Sequence, residues 1–317
     1  MNPVHVLIRL QTGYGLGDAV QISSVLRHLR KYRPTWIIDY QADEGRHSAA
    51  IGLVRNAFTY SDAVVASSYD REIDIVLYDT FAGWTDRPNT RVTQCLHERF
   101  GMAWDRELAS YEINVTQEAK ESAEAFLSPL LKNNGLGRIN RVVCIQYQGD
   151  SAQVNKNLTH EQAADICQAV IDAGRVPLLM DWRNLSPLPD QSTIHTTGRM
   201  VMSSKWGRDA QMNAAIIGQC EAFIGIDSGP GKCASATDTP SLICWTANHP
   251  ALFHDPCPNT THLVPENHRQ NPLLEGNSGA ADFFEREYNW TTYANLVESV
   301  KTWIRKVTTG QVSRIPR

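Results

Sequence analysis

The sequence has 317 residues, 42% of them hydrophobic and 20% charged, with a formal net charge of −4. That length exceeds what one ordinary hydrophobic core fills and suits two domains, and the composition excludes a disordered chain. The mild acidic balance argues against a general nucleic-acid binder, which carries a basic excess, so no stable nucleic-acid complex is expected.

Residues 4–10 (VHVLIRL) form an apolar run of buried-strand length, and the glycine-rich turn 13–17 follows. Val20, Val25, Leu26 and Leu29 recur near helical spacing, so 20–31 reads as a helix that Pro34 closes. Strands are predicted at 36–40, 63–66 and 73–78, and helices at 92–100 and 117–131, the latter capped by Thr116. The polar, glycine-bearing stretch 133–141 (NNGLGRINR) is the candidate linker. The alternation then restarts, with strands at 142–147, 176–180, 193–196, 222–226 and 241–245 and helices at 160–173, 210–220 and 231–237. A last amphipathic helix covers 291–306, and the tail 308–317 is predicted to be loose. Repeated strand–helix units imply parallel sheets covered on both faces. The expected fold is therefore α/β, two Rossmann-like domains facing each other across a cleft. The divisions fall at 1–136, 137–290 and a C-terminal helix and tail, 291–317. Ligands of such sheets bind beyond the carboxyl ends of the strands.

The seven cysteines include no CxxC pair and several lie in apolar runs, so they read as buried thiols in a reducing compartment. The N-terminus has no signal-peptide pattern, and no apolar run approaches the roughly 20 residues that span a bilayer. A cytoplasmic chain without a transmembrane segment is expected.

Two motifs carry the chemistry. The first is Gly13-Tyr14-Gly15-Leu16-Gly17-Asp18, between the first strand and the first helix. Its GxGxG spacing differs from the dinucleotide fingerprint, and a carboxylate at the helix start would repel a bound pyrophosphate. Asp18 reads equally as a helix cap or as a base that accepts a proton from an incoming hydroxyl. The second is Asp227-Ser228-Gly229-Pro230-Gly231-Lys232 after a strand, where a hydroxyl, backbone N–H groups and an ammonium suit a pyrophosphate. A plain strand-to-helix turn is the alternative. A polar loop ending at Lys156 could neutralise a leaving diphosphate. No Asp-x-Asp triplet is present to hold a divalent metal. His249, His254, His262 and His268 are too irregularly spaced for a metal site. His28, His97 and Arg99 read as surface residues, with contact to the acceptor as the alternative, and Trp245 as a packing residue or one flanking a nucleotide base.

Jointly, Ile8-Arg9-Leu10, Gly17-Asp18, Leu26-Arg27-His28-Leu29-Arg30 and Pro34 resemble the opening of the ADP-heptose:lipopolysaccharide heptosyltransferases, a GT-B glycosyltransferase family. Lys156 before a helix resembles that family's lysine, and Thr196-Thr197-Gly198-Arg199 resembles its Thr-Gly segment. Residues 223–232 through Pro240 resemble its Asp-Ser/Thr-Gly-Pro signature. The resemblance spans residues 4–250. It implies a GT-B fold and an inverting, metal-independent transfer of a hexosyl or heptosyl group from a nucleotide-diphosphate-sugar, such as an ADP-linked one, with no cofactor. It implies Asp18 as the catalytic base. The implied donor-binding set is Lys156, Thr197, Gly198, Asp227, Ser228, Gly229, Pro230 and Lys232, in the C-terminal domain. Gly15, Gly17, Arg27 and Arg30 are expected on the acceptor side, in the N-terminal domain. The acceptor would be a hydroxyl, for example on a lipid-linked glycan at the inner membrane face, with the chain peripheral there. Lys232 stands where the family has histidine, Tyr14 is inserted in the first loop, and Lys156-Asn157-Leu158 replaces Lys-x-Trp. Other readings are the same fold acting on a protein, small-molecule or nucleobase acceptor, a non-catalytic nucleotide-sugar binder, and an epimerase.

Overall fold

The computed structural model describes residues 2–76, 92–133, 141–149, 156–180, 194–196, 209–245, 250–264 and 296–314. The predicted linker lies almost wholly outside the described residues, as do Thr197, Gly198, His249 and His268.

Among the described residues, ten strands form two all-parallel sheets. The first holds β1 (Val4–Leu10), β2 (Trp36–Ala42), β3 (Asn56–Thr59) and β4 (Arg71–Ile75), in the order β3-β2-β1-β4. The second holds β5 (Val142–Gln146), β6 (Val176–Met180), β7 (Ile194–Thr196), β8 (Ala222–Ile226), β9 (Ser241–Cys244) and β10 (Thr260–Leu263), in the order β10-β9-β8-β5-β6-β7. β5, β8 and β9 are buried at every position, which is why they read as continuous apolar runs.

The helices are α1 (Leu16–Tyr32), α2 (Val92–Arg99), α3 (Gln117–Asn133), α4 (His160–Asp172), α5 (Ala210–Gln219), α6 (Gly229–Ser235), α7 (Pro250–Phe253) and α8 (Leu296–Thr308). One continuous core joins β1, β2, α1 and α3 to α5, α6 and one face of the second sheet. The other face of that sheet packs on α4 and α8, through Ile166, Val170, Val300 and Trp303. Trp303 Nε1 donates to Thr261 Oγ1 at 3.2 Å, which fastens α8 to β10.

Several buried hydrogen bonds cross between the two halves. Gln21 Nε2 donates to the Phe253 carbonyl at 2.8 Å, and Thr93 Oγ1 donates to Asp255 Oδ1 at 2.5 Å. The Asp255 N–H donates to Tyr111 Oη at 2.8 Å. Gln211 Nε2 reaches the carbonyls of Ser48 and Asn114, both at 3.1 Å.

Four expectations need correction. Residues 63–66 form no strand; β3 lies earlier, at Asn56–Thr59, where Asp39 accepts from the Asn56 side chain and N–H and so fixes the register beside β2. A further strand, β10, escaped the sequence because only four half-exposed residues compose it. The tail is held as far as Arg314, whose guanidinium donates to Asp238 at 2.7 Å and to the Gly218 and Cys220 carbonyls. His28 and His97 are fully buried rather than superficial. His28 Nδ1 donates to the Ser24 carbonyl, so its Nε2 is free to accept the Asp105 N–H at 2.9 Å. Burial depresses both imidazoles, His97 to about 4. The described cysteines with placed side chains are all free and buried, and burial pushes the Cys167 thiol up to about 12.

Candidate active site

Each sheet reverses its strand order beside its first strand, and ligands bind at such reversals beyond the carboxyl ends. In the first sheet the reversal lies between β1 and β4, and the chain leaves β1 through the Gly13–Gly17 loop. In the second it lies between β5 and β8, whose exits are the loop 147–149 and the Asp227-Ser228 turn.

The first loop is pinned by two carboxylates. Asp43 Oδ2 accepts the Gly13 N–H at 3.0 Å and is ion-paired with Arg46 at 3.0 Å. Asp18 Oδ2 accepts the Gly15 N–H at 2.9 Å, so Asp18 does act as a helix cap, from inside the first turn of α1. That bond occupies one oxygen of a half-buried side chain. The other makes no protein hydrogen bond among the described residues. The cap and base readings are therefore compatible in one residue.

The second loop is organised by polar residues that sequence reasoning missed. Gln146 ends the apolar run of β5, and the Ser228 hydroxyl donates to its Oε1. Ser228 Oγ in turn accepts the Gly231 N–H at 3.3 Å, so this hydroxyl is spent on capping α6. Asn157 Oδ1 holds the Gly149 N–H at 2.8 Å. The signal for both was visible as an amide inside or beside a motif: Gln146 in VVCIQ and Asn157 after Lys156.

Two cations remain. Lys156 pairs with the buried Asp227 at 3.6 Å. Lys232 is only 7% exposed and makes no ion pair or hydrogen bond among the described residues. A buried ammonium without an anion is costly, and such groups mark binding sites.

The two motifs meet. A Cβ at Gly17 would lie 3.3 Å from Lys232 Cδ and 3.5 Å from Gly229 Cα. A Cβ at Gly229 would lie 2.7 Å from Leu16 Cβ. The start of α1, carrying Asp18, thus rests directly on the start of α6. The structure brings Gly15, Gly17, Asp18, Gly229, Pro230 and Lys232 into one neighbourhood, with Lys156, Asp227 and Ser228 along the same turn.

Arg27 and Arg30 are not part of it. They lie nine and twelve residues beyond Asp18, about 14 and 18 Å along the helix at 1.5 Å per residue. Both are ion-paired with Glu112 at 3.2 Å, and Arg27 also bonds to Ser110. Trp245 is fully buried and donates to His262 Nδ1 at 3.0 Å, as a packing residue does. Among the described residues no group of three His, Cys, Asp or Glu side chains is arranged to hold a metal, and no helix is long and apolar enough to cross a membrane.

Two facing parallel α/β sheets with a shared crevice at their carboxyl ends define the GT-B type of glycosyltransferase fold. Solved structures of that type cover almost the whole chain. The glycosyl transferase family 9 protein from Veillonella parvula DSM 2008 is 14% identical, with 98% of each chain covered and a TM-score of 0.67. The iron-containing heptosyltransferase TibC, solved in complex with ADP-D-β-D-heptose, is 14% identical over 98% of this chain and 79% of its own, TM-score 0.64. The E. coli heptosyltransferase WaaC, solved with ADP, is 12% identical over 96% and 99%, TM-score 0.59. No protein-family model and no curated protein matches the sequence.

Proposed function

We propose that the chain is an inverting, metal-independent glycosyltransferase that moves a sugar from a nucleotide-diphosphate-sugar to an acceptor hydroxyl. The observation that carries this reading is Lys232, a largely buried lysine with no ion pair among the described residues, packed against the glycine that precedes Asp18. A diphosphate supplies the missing negative charge. The neighbours solved with ADP or ADP-heptose favour an ADP-linked donor.

In the reaction, the acceptor oxygen attacks the anomeric carbon from the side of the first domain while Asp18 takes its proton. The bond to the diphosphate oxygen breaks, and both its electrons leave with the nucleoside diphosphate. Lys232 and Lys156 stabilise that growing charge. Asp227 holds Lys156 in place, as their 3.6 Å separation allows. Preorganised groups of this kind contribute about 2.7–4 kcal/mol each. An acceptor on a membrane-bound glycan would place the enzyme at a membrane face.

The test has two parts. A thermal-shift screen over ADP-, UDP-, GDP- and dTDP-sugars should find one donor that stabilises the chain by about 2.7 kcal/mol at 100 times its dissociation constant. Asp18→Asn should fold, still bind that donor, and lose turnover by at least about 10²-fold. Near-normal turnover in Asp18→Asn refutes the base; no stabilisation by any nucleotide sugar refutes the donor class.

A further inference from the structure

Tyr60 follows β3 directly, and its hydroxyl donates to the Leu10 carbonyl, the last of β1, at 2.8 Å. In the strand order β2 lies between those two strands, and Ala42, its last residue, pairs in register with Thr59. Neighbouring strands are about 4.8 Å apart, so the side chain and its bond together bridge roughly 10 Å. The phenol ring therefore crosses the carboxyl end of β2, the end at which a sheet of this kind binds ligands. Asp43, the next residue along, holds the Gly13 N–H at 3.0 Å, and Asp18 holds the Gly15 N–H of the same loop at 2.9 Å. The ring thus adjoins the loop beside which the base stands.

Exposed apolar side chains are ordinary on a protein surface, but Tyr60 differs in two respects. It is 38% exposed at the ligand-binding end of the sheet. Its hydroxyl is tied to the backbone, so the ring is held in place before any partner arrives, and stacking on it costs little side-chain freedom. What Tyr60 offers a ligand is its ring face.

The charges around it are matched within the protein. Arg9 is ion-paired with Glu72 and, at 3.7 Å, with Asp74, and its Nε donates to Gln41 Oε1 at 3.2 Å. Arg46 is ion-paired with Asp43 at 3.0 Å. Asp62 accepts the Thr59 N–H at 2.6 Å, Glu44 is exposed, and residues 41–75 contain no lysine. Both arginines at this end of the first sheet are therefore committed to carboxylates, and further carboxylates stand beside them. A phosphate or carboxylate on an acceptor would be repelled here.

We propose that Tyr60 is the platform of the acceptor subsite, and that this subsite takes an uncharged pyranoside with one ring face on the phenol and a hydroxyl turned to Asp18. The assignment rests on the glycosyltransferase reading above and narrows its acceptor. A pyranoside has a C–H face that suits an aromatic ring and hydroxyls at its edge that suit the base. Sites for small ligands combine such apolar platforms with a few placed polar groups.

The experiment measures ADP release from ADP-D-β-D-heptose by the full chain. Octyl glucoside, galactoside and mannoside are the neutral acceptors, and octyl glucuronide and a phosphorylated octyl glucoside the charged ones. At least one neutral glycoside should raise release above the acceptor-free rate, with kcat/KM about tenfold or more above that of either charged one. Tyr60→Phe and Tyr60→Leu both lose the bond to Leu10, so the difference between them isolates the ring face. The acceptor KM should be about 5- to 10-fold higher in Tyr60→Leu than in Tyr60→Phe, with donor KM and acceptor-free release alike in both to within about twofold. Tyr32→Leu, which alters an exposed tyrosine at the far end of α1, should change none of these values. Equal acceptor KM in the two Tyr60 variants overturns the platform. A donor KM that moves in step with the acceptor KM overturns it as well, because the ring would then act through the structure of its loop. Preference for a charged acceptor, or transfer to no neutral glycoside, overturns the acceptor class; donor binding read by thermal shift then persists and the functional reading stands. Absence of both ADP release and donor binding removes the functional reading and this assignment together.

Discussion

The contact between Leu16 and Gly229 sets how closely the two halves of the site approach, and it can be perturbed by one methyl group. Gly229 is not among the glycines with positive φ, so alanine is conformationally allowed there and acts only through its volume. The added Cβ would lie 2.7 Å from Leu16 Cβ and 3.0 Å from Leu16 Cγ. Carbon atoms in contact sit at about 3.5–4.0 Å, so the starts of α1 and α6 must separate by roughly 1 Å. Leu16 Cβ is fixed to its backbone, and no side-chain rotation relieves it. Overpacking of this kind costs about 1–3 kcal/mol. At about 2–4 °C per kcal/mol the thermal midpoint of Gly229→Ala should fall by several degrees. Displacing a proton acceptor by about 1 Å from the group it serves costs about 10²-fold in rate, and the loss should appear in kcat of nucleotide-sugar turnover. Gly218→Ala is the control: it sits in α5 with nothing within 4 Å of the new methyl, so stability should rise slightly and the rate stay unchanged. A Gly229→Ala variant with wild-type midpoint and wild-type kcat would refute the claim that this contact sets the site.

Lys232→Met should raise the thermal midpoint of the free protein, since it removes a largely buried charge that no anion among the described residues offsets, and should weaken donor binding at least tenfold by calorimetry. Tighter or equal donor binding would sink the diphosphate role. The buried His97 should make the fold acid-sensitive. Its folded pKa of about 4 lies below the unfolded value near 6.5, so its contribution is fully present above 6.5 and is lost as pH falls from there to about 4. The full loss is of order 3 kcal/mol, and His97→Gln should flatten the denaturant-midpoint profile over that window; an unchanged slope would contradict it.

Much of the architecture could be read from the chain because its parallel strands are buried on both sides. VVCIQ, VPLLM and AFIGI carry so little polar character that no other element fits five residues of each. The two motifs were legible for a different reason: glycines and a carboxylate or serine between a strand and a helix limit the backbone to a few shapes. β3 and β10 were not legible. Their four-residue runs, NAFT and TTHL, owe their strand state to a neighbour's ladder and to Asp39, not to their own pattern. The pairing of Arg27 and Arg30 with Glu112 was not legible, because a basic helix end looks the same whether it faces a ligand or a carboxylate of its own chain. The burial of His28 and His97 needed two helices and the Asp105 loop to be brought together, which periodicity along either helix cannot foretell.

The charges at the meeting point of α1 and α6 are arranged with a restraint that supports a reacting rather than a structural site. Asp18 and Lys232 occupy adjacent helix starts, yet they form no ion pair. If they did, the carboxylate would lose basicity and the ammonium would lose its field, and a structural salt bridge would be the result. The fold prevents that collapse by cheaper bonds: the Gly15 N–H turns the Asp18 carboxylate back along its own helix, and the bare Gly17 lets the Lys232 stem lie flat against α1. On the proposed reading each charge is kept for a partner that arrives with the substrates, a proton for one and a phosphate oxygen for the other. Holding both ready in a partly buried crevice spares the reorganisation that water would require, which is the main source of catalytic stabilisation in sites of this kind.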